Sequence, residues 1–341
     1  MMSNERQQEE QRIQQILDPP PAFSRSRFVR YALLLLLVPA LLYVLMLPLT
    51  MLPILRFDRW GGDKWGPVLD FGFHADGQNA DVVIFGDSSA AVGVDPRLVD
   101  ADLGIRSVTL PNTFGSLPVT GDMALRRYLA HNTPPRLIVF YFSPWNLDFQ
   151  RTGNGKFSFE GEEMLLRNGS WREIAAFARS HPRELLSFPW ERNSMLGLQN
   201  VLITLRSDRF QQTAAARGHI EYANPIGPLT PPCHIPDSYL QQQNDDSVQT
   251  LVHRYATPDT RVVVYLAPVP DCDNADVLLN RSFADLGATP PSILPPQSFA
   301  ADGLYAHILP GSVAGSSHLF AESLRARAAY LGATRPALSL P

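Results

Sequence analysis

Four short apolar runs, each ending at small or polar residues, form the clearest hydrophobic pattern of this chain. They cover 82–85, 107–110, 137–142 and 262–266. The run at 82–85 is apolar at every position, and a continuous apolar run of this length favours a strand that is buried on both faces of a parallel sheet. The pattern therefore predicts an α/β fold with a parallel sheet.

Helical spacing replaces this pattern between the third and fourth runs. Ser170-Trp-Arg-Glu173 has the form of a capping box and predicts a helix start. Three stripes of apolar residues at helical spacing follow: Trp171, Ile174, Ala175 and Ala178; Met195, Leu198, Leu202 and Leu205; Val248, Leu251, Val252 and Tyr255. Such stripes are more often core than cofactor contacts, so we expect a helical insertion at about 150–257.

A long uncharged segment lies near the N-terminus, between Arg30 and Arg56. At 1.5 Å per residue it is long enough to cross a hydrocarbon core of about 30 Å. A cleaved signal peptide is the alternative, but no small-x-small site follows the segment before Arg56. We therefore predict a cytoplasmic tail (1–30), a transmembrane anchor (31–55), a linker (56–80) and one large domain (81–335).

Composition excludes several classes of function. The formal net charge is −4 and the pI is about 6.1, so the chain has no electrostatic footprint for nucleic acid. It contains neither a Gly-x-Gly-x-x-Gly fingerprint nor a Gly-Lys-Ser/Thr phosphate loop. No cofactor is expected.

The first apolar run continues into Gly86-Asp87-Ser88, which nominates Ser88 as a nucleophile. The carboxyl ends of strands are where open α/β sheets place their ligands. A second interpretation is that Asp87 or Ser88 only caps the following helix. Both interpretations require a sharp turn at Gly86.

This stretch resembles block I of the SGNH, or GDSL, hydrolase superfamily, and the resemblance implies a three-layer, flavodoxin-like fold. The loop at 111–115 resembles block II, whose glycine would be Gly115, and the loop at 143–146 is similar to block III, whose asparagine would be Asn146. By this resemblance Gly115 and Asn146, with Ser88 itself, would form the oxyanion hole.

Block V of the superfamily supplies an Asp and a His before the last helix, and Asp302 and His307 are similar in position. The family spacing is usually Asp-x-x-His, whereas here the two residues are five apart. His318 is the alternative base. A serine nucleophile needs such a base within hydrogen-bond reach and donors for the oxyanion.

Anchored members of the superfamily with one N-terminal span include accessory proteins of bacterial exopolysaccharide O-acetylation. The resemblance implies a periplasmic O-acyltransferase on the inner membrane that works through a serine acyl-enzyme. Its partners would be an acyl donor, a polysaccharide acceptor such as cellulose, and a membrane-bound O-acyltransferase with a polysaccharide synthase. An esterase of acylated glycan or lipid, and a non-catalytic glycan-binding or scaffold subunit, are the alternatives.

Three further residues bear on the predicted site. Trp145 stands beside Asn146 and is a candidate substrate contact. Cys233 and Cys272 lie in loops near the presumed active edge, where they could form an exported disulfide or remain two unrelated thiols. A zinc site of Cys233 and His234 lacks the usual ligand spacing, so no metal is expected.

Overall fold

The computed structural model describes residues 24–50, 65–149, 159–187, 208–222, 227–241 and 245–334. The chain divides into two compact units, 1–49 and 50–341. The first contains the helix α1 (Arg25–Thr50). Within the described part of the chain, no helix meets the length and hydropathy needed to cross a membrane. The last part of the predicted anchor, residues 51–55, lies outside the described residues. So does most of the predicted tail, residues 1–23.

The second unit is built around a four-stranded parallel sheet with the order β2-β1-β3-β4. Val82 is paired with Ser107 on one side and with Leu137 on the other. The strand bounds agree with the apolar runs to within one residue, and they are β1 (Val82–Gly86), β2 (Ser107–Pro111), β3 (Leu137–Phe142) and β4 (Arg261–Leu266). A second, two-stranded parallel sheet consists of β5 (Val269–Pro270) and β6 (Ile293–Leu294).

Helices occupy most connections between these strands. Their bounds are α2 (Trp65–Phe73), α3 (Ser88–Gly93), α4 (Pro96–Leu103), α5 (Leu117–Thr120), α6 (Met123–His131), α7 (Phe159–Asn168), α8 (Trp171–Ser180), α9 (Arg209–Ala215), α10 (Asp237–Leu240), α11 (Asp246–Tyr255), α12 (Asp276–Leu279) and α13 (Val313–Thr334). Short 3-10 helices cover Ala284–Leu286, Pro296–Ser298 and Pro310–Ser312.

Alternate residues of the central strands enter two separate cores. Phe85 and its same-face neighbours pack against α2, α6, α7 and α11, whereas Ile84 and Tyr141 pack against Phe320 of α13. Both faces of the sheet are therefore covered, which is why β1 and β3 read as continuous apolar runs. The prediction of an α/β fold with a parallel sheet is confirmed.

The order of the strands creates a switch point between β1 and β3. The chain leaves β1 for β2 on one side and later returns to β3 on the other side. Residues that follow β1 and β3 therefore meet at the carboxyl edge where doubly wound sheets bind ligands. Gly86 sits at this point, and a Cβ placed there would lie 1.8 Å from the carbonyl oxygen of Tyr141.

The insertion between β3 and β4 is helical where the structure describes it. The Ser170–Glu173 capping box is present at the start of α8, and Val248, Leu251 and Tyr255 of α11 are buried as predicted. The predicted face of α8 is wrong in one respect. Trp171 is 72% exposed and Phe177 is the buried residue, because the side that meets the core begins one turn later. The stripe from Met195 to Leu205 lies outside the described residues.

Candidate active site

Ser88 is the first residue of α3, directly after the turn that ends β1. Asp87 is the N-cap of this helix, and its side chain accepts a hydrogen bond from Ser89 N at 2.9 Å. The capping interpretation therefore holds for Asp87, and the role of Ser88 as a nucleophile stays a prediction. Asp87 caps the helix, and the cap orients the residue that follows it.

Three side chains form a continuous hydrogen-bonded chain at this edge. Nε2 of His307 lies 2.9 Å from Ser88 Oγ, and Nδ1 lies 2.6 Å from Asp302 Oδ2. The pairing of Nδ1 with a carboxylate favours the tautomer that carries its proton on Nδ1, so that Nε2 accepts from the serine hydroxyl. The side chains of His307 and Asp302 are only 2% and 8% exposed. Water therefore has little access to the two groups behind the serine.

Asp302 is held by donors on both of its oxygens. Tyr222 donates its hydroxyl to Oδ2 at 2.7 Å, and Leu304 N donates to Oδ1 at 3.0 Å. Burial by itself raises the pKa of Asp302, but the hydrogen bonds from His307, Tyr222 and Leu304 N outweigh it and hold the pKa below its usual range. The carboxylate is thus kept in its charged form.

The five-residue spacing between Asp302 and His307 is accommodated by a turn. Leu304 N closes an Asx-type turn on the Asp302 side chain, and Tyr305 adopts a φ of +55°. A left-handed conformation in a residue with a Cβ costs of order 1 kcal/mol or more, so the surrounding contacts must hold it. The longer spacing still brings Asp302 and His307 into hydrogen-bond contact.

His318, the alternative base, lies elsewhere. It is on α13, its side chain is 57% exposed, and its Nδ1 lies 3.1 Å from Asp102 Oδ2. Nε2 of the same ring lies 3.3 Å from Glu322. Of the two histidines, His307 is the one that faces Ser88.

Asp87 connects the ends of the two central strands. Its Oδ2 accepts from Asn146 Nδ2 at 2.8 Å and from Ser143 N at 3.1 Å, while Ser89 donates to Oδ1. Asn146 was predicted to donate to an oxyanion, and the structure places one of its two amide hydrogens on Asp87. The second hydrogen of that amide group is the one available for a ligand.

The loop after β2 approaches the same edge. Asn112 N donates to the carbonyl oxygen of Gly86 at 2.7 Å, and its buried side chain accepts from Thr120 Oγ1 at 3.2 Å. Gly115 lies in the turn before α5 and is half-buried. Its predicted role as an oxyanion donor stays a prediction.

Trp145 belongs to an apolar cluster rather than to an open surface. It is 7% exposed and stacks on Tyr239, with the ring centroids 5.2 Å apart and the planes 11° from parallel. The same cluster contains Cys233 and Cys272, which form a disulfide with a Cα–Cα distance of 4.9 Å. The disulfide covalently links the loop before α10 to the segment after β5.

Two aromatic residues at the site carry no sequence motif that points to it. The rings of Trp65 and Tyr222 lie with their centroids 5.3 and 4.5 Å from the imidazole of His307. Trp65 begins α2, ahead of the first strand, and Tyr222 belongs to the insertion. Both rings pack at a tilt against the imidazole, with interplanar angles of 41° and 36°.

No family model, curated protein or solved structure matches this chain. Among the described residues, no group of three or more His, Cys, Asp or Glu side chains is arranged to hold a metal ion.

Proposed function

We propose that this protein is an SGNH-type O-acyltransferase with the superfamily's three-layer, flavodoxin-like fold, and that it works through an acyl-enzyme on Ser88. The observation that supports this most directly is the hydrogen-bonded chain from Ser88 through His307 to Asp302. A serine hydroxyl is a poor nucleophile alone, and this arrangement supplies the base and the group that orients the base.

In the first step, Ser88 Oγ attacks the carbonyl carbon of an acyl donor while His307 Nε2 takes the hydroxyl proton. Asp302 holds Nδ1 and balances the positive charge that forms on the ring. The tetrahedral intermediate collapses when His307 returns the proton to the leaving group, and the acyl group remains as an ester on Ser88.

The negative oxygen of the intermediate needs donors aimed at its position. Ser88 N, Gly115 N and the second amide hydrogen of Asn146 would supply them. Asp87 supports this assignment because it fixes the orientation of the Asn146 amide group through the first hydrogen. A bond made before the substrate arrives needs no reorganisation during the reaction.

In the second step, a sugar hydroxyl of a secreted polysaccharide such as cellulose would replace water as the acceptor. His307 takes the proton of that hydroxyl, the new ester bond forms, and Ser88 leaves with the proton returned. The burial of His307 and Asp302 supports acyl transfer, because a base shielded from solvent activates fewer water molecules.

We place the catalytic domain on the periplasmic side of a bacterial inner membrane. The Cys233–Cys272 disulfide supports an oxidising compartment. The anchor at 31–55, a membrane-bound O-acyltransferase and a polysaccharide synthase partner complete this proposal, and they rest on the sequence pattern and on the resemblance.

The nucleophile is tested by Ser88→Ala in the full chain, with Ser282→Ala as the control at an exposed serine. We expect the Ser88 variant to lose about 10³-fold or more in turnover of p-nitrophenyl acetate, and the control to match wild type. A fluorophosphonate should label Ser88. Undiminished turnover in Ser88→Ala would reject the proposal, and a wild type without turnover or labelling would favour the scaffold alternative.

The acceptor is tested by adding cello-oligosaccharides or oligomannuronates to the acetyl donor and measuring acetylated sugar by mass. Ser88-dependent acetylation of an oligosaccharide is the expected result. Release of free acetate that no acceptor diverts, together with removal of acetyl groups from acetylated oligosaccharides, would favour the esterase.

A further inference from the structure

A segment of the insertion is docked along the edge of the sheet. Thr109 N in the edge strand β2 donates to the carbonyl oxygen of Arg217 at 3.0 Å, and Ile220 N donates to the carbonyl oxygen of Ala91 in α3 at 3.0 Å. At Gly218, φ is +93° and a Cβ would lie 2.1 Å from Thr109 O. The backbone therefore contacts both the sheet edge and the helix that begins with Ser88.

Tyr222 lies two residues beyond the second of these contacts and is buried. Its hydroxyl donates to Asp302 Oδ2, the same oxygen that accepts from His307 Nδ1. Its ring also packs against the imidazole, with the centroids 4.5 Å apart. One side chain thus contacts both the base and the group that orients the base.

We propose that Tyr222 is a positioning residue of this site, which fixes the rotation of the Asp302 carboxylate and the plane of the His307 ring. The inference rests on the proposed serine chemistry. It adds to that chemistry a fourth side chain, supplied by the helical insertion rather than by the loops that follow the strands.

The reason lies in the geometry of the carboxylate. Leu304 N donates to Oδ1. Without Tyr222, the other donor to Asp302 among the described residues is the His307 imidazole, whose orientation the carboxylate must determine. A second donor on Oδ2 makes the orientation of Asp302 independent of His307. The phenol also withdraws electron density from Oδ2, so its loss leaves a more basic carboxylate beside the ring.

Two consequences follow for a variant without the hydroxyl. The maximal rate falls, because the imidazole spends less time with Nε2 aimed at Ser88. The acid limb of the kcat/KM profile moves to higher pH, because a more basic carboxylate favours the protonated ring. Among the described residues, the groups that face His307 are Ser88, Asp302, Tyr222 and Trp65, and Tyr222→Phe removes the hydrogen bond to Asp302.

The experiment compares Tyr222→Phe with Tyr255→Phe in the full chain. Tyr255 is a matched control because its hydroxyl also donates to a buried Asp Oδ2 at 2.7 Å, on Asp122. We expect Tyr222→Phe to lose about tenfold in kcat, the equivalent of one hydrogen bond to a charged group, with KM within about twofold. Its acid limb should move upward. Tyr255→Phe should keep both the kcat and the pH profile of wild type.

A second measurement does not depend on turnover. The proton resonance of His307 Nδ1–H should shift in Tyr222→Phe and stay in place in Tyr255→Phe. A wild-type rate and profile in Tyr222→Phe, an unshifted resonance, or equal losses in both variants would overturn the inference. If Ser88 is labelled and Ser88→Ala is inactive, such a result leaves the proposed function standing. If Ser88→Ala stays active, the proposed function fails, and the resonance alone decides the role of Tyr222.

Discussion

Ser88 Oγ and His307 Nε2 lie 2.9 Å apart although the two residues are 219 positions apart along the chain. The first residue follows β1, and the second precedes the last helix, α13. The contact forms because β1 is an inner strand of the sheet and α13 packs on one face of that sheet, behind Ile84 and Tyr141. The core that contains Ile84, Tyr141 and Phe320 therefore determines how the serine meets its base.

The choice between the two candidate bases can be tested by substitution. We expect His307→Gln to lose about 10³-fold or more in Ser88-dependent turnover, since a base that acts with the nucleophile is required in both steps. His318→Gln removes only exposed contacts and should stay within about twofold of wild type. Activity that survives the first change but not the second would assign the base to His318.

Asp87 should matter for both stability and activity. Asp87→Asn keeps the shape of the side chain but replaces one acceptor oxygen with an NH₂ group. In one orientation the NH₂ group meets the donors of Ser89, and in the other it meets those of Asn146 and Ser143, so in both cases donor faces donor. We expect a loss of about 2–4 kcal/mol in the free energy of unfolding, measured with urea, together with slower fluorophosphonate labelling of Ser88.

Asp95→Asn is the control for that experiment. Asp95 is also a buried N-cap, but it bonds Arg97 at the start of α4 rather than the end of a second strand. Its substitution should lower stability and leave the labelling rate unchanged. Equal labelling in all three proteins would show that Asp87 has no role in the site.

The buried carboxyl of Asp122 should make the free energy of unfolding depend on pH. Burial alone raises the pKa of this carboxyl, but hydrogen bonds from Tyr255, Arg254 and Arg126 outweigh it and hold the pKa below its usual range. A carboxyl with a lowered pKa in the folded state contributes stability above its unfolded pKa of about 3.9, and this contribution is lost as the pH falls through the folded pKa.

Asp122→Asn should therefore lower the free energy of unfolding by about 1.5–3 kcal/mol at pH 7. The difference from wild type should shrink below about pH 4. Asp285→Asn, at an exposed position, should change stability by less than about 0.5 kcal/mol. A difference between Asp122→Asn and wild type that is constant with pH would contradict the prediction.

The disulfide should stabilise the domain. Replacing both Cys233 and Cys272 with serine opens a bridge between residues 39 apart and should cost about 2–4 kcal/mol. Wild type under reducing conditions should unfold at the denaturant concentration of the double variant. Thiols that react in oxidised, denatured wild-type protein would show that the bridge is absent.

Local sequence patterns could predict the sheet, because β1 and β3 are apolar along their whole length and β2 and β4 are largely so, and the neighbours of each strand need not be known. The pairing of Asp302 with His307 came from the resemblance to block V, and the structure brings the two side chains into hydrogen-bond contact. Local patterns could not predict that Tyr222 bonds Asp302 across 80 residues, since that contact depends on how the insertion docks on β2. Local patterns could not predict the exposure of Trp171 in α8 either, because this residue fits an apolar stripe although its side chain is exposed.

The close approach of β3 to Gly86 limits which amino acids can occupy this position. Any other amino acid would bring a side-chain carbon against the backbone of Tyr141, so β1 and β3 would have to separate at their carboxyl ends. That separation would pull Asp87 away from Ser143 and Asn146, which it bridges. In a saturation library at this codon, glycine should be the only amino acid recovered under selection for activity, even where larger residues still give folded protein.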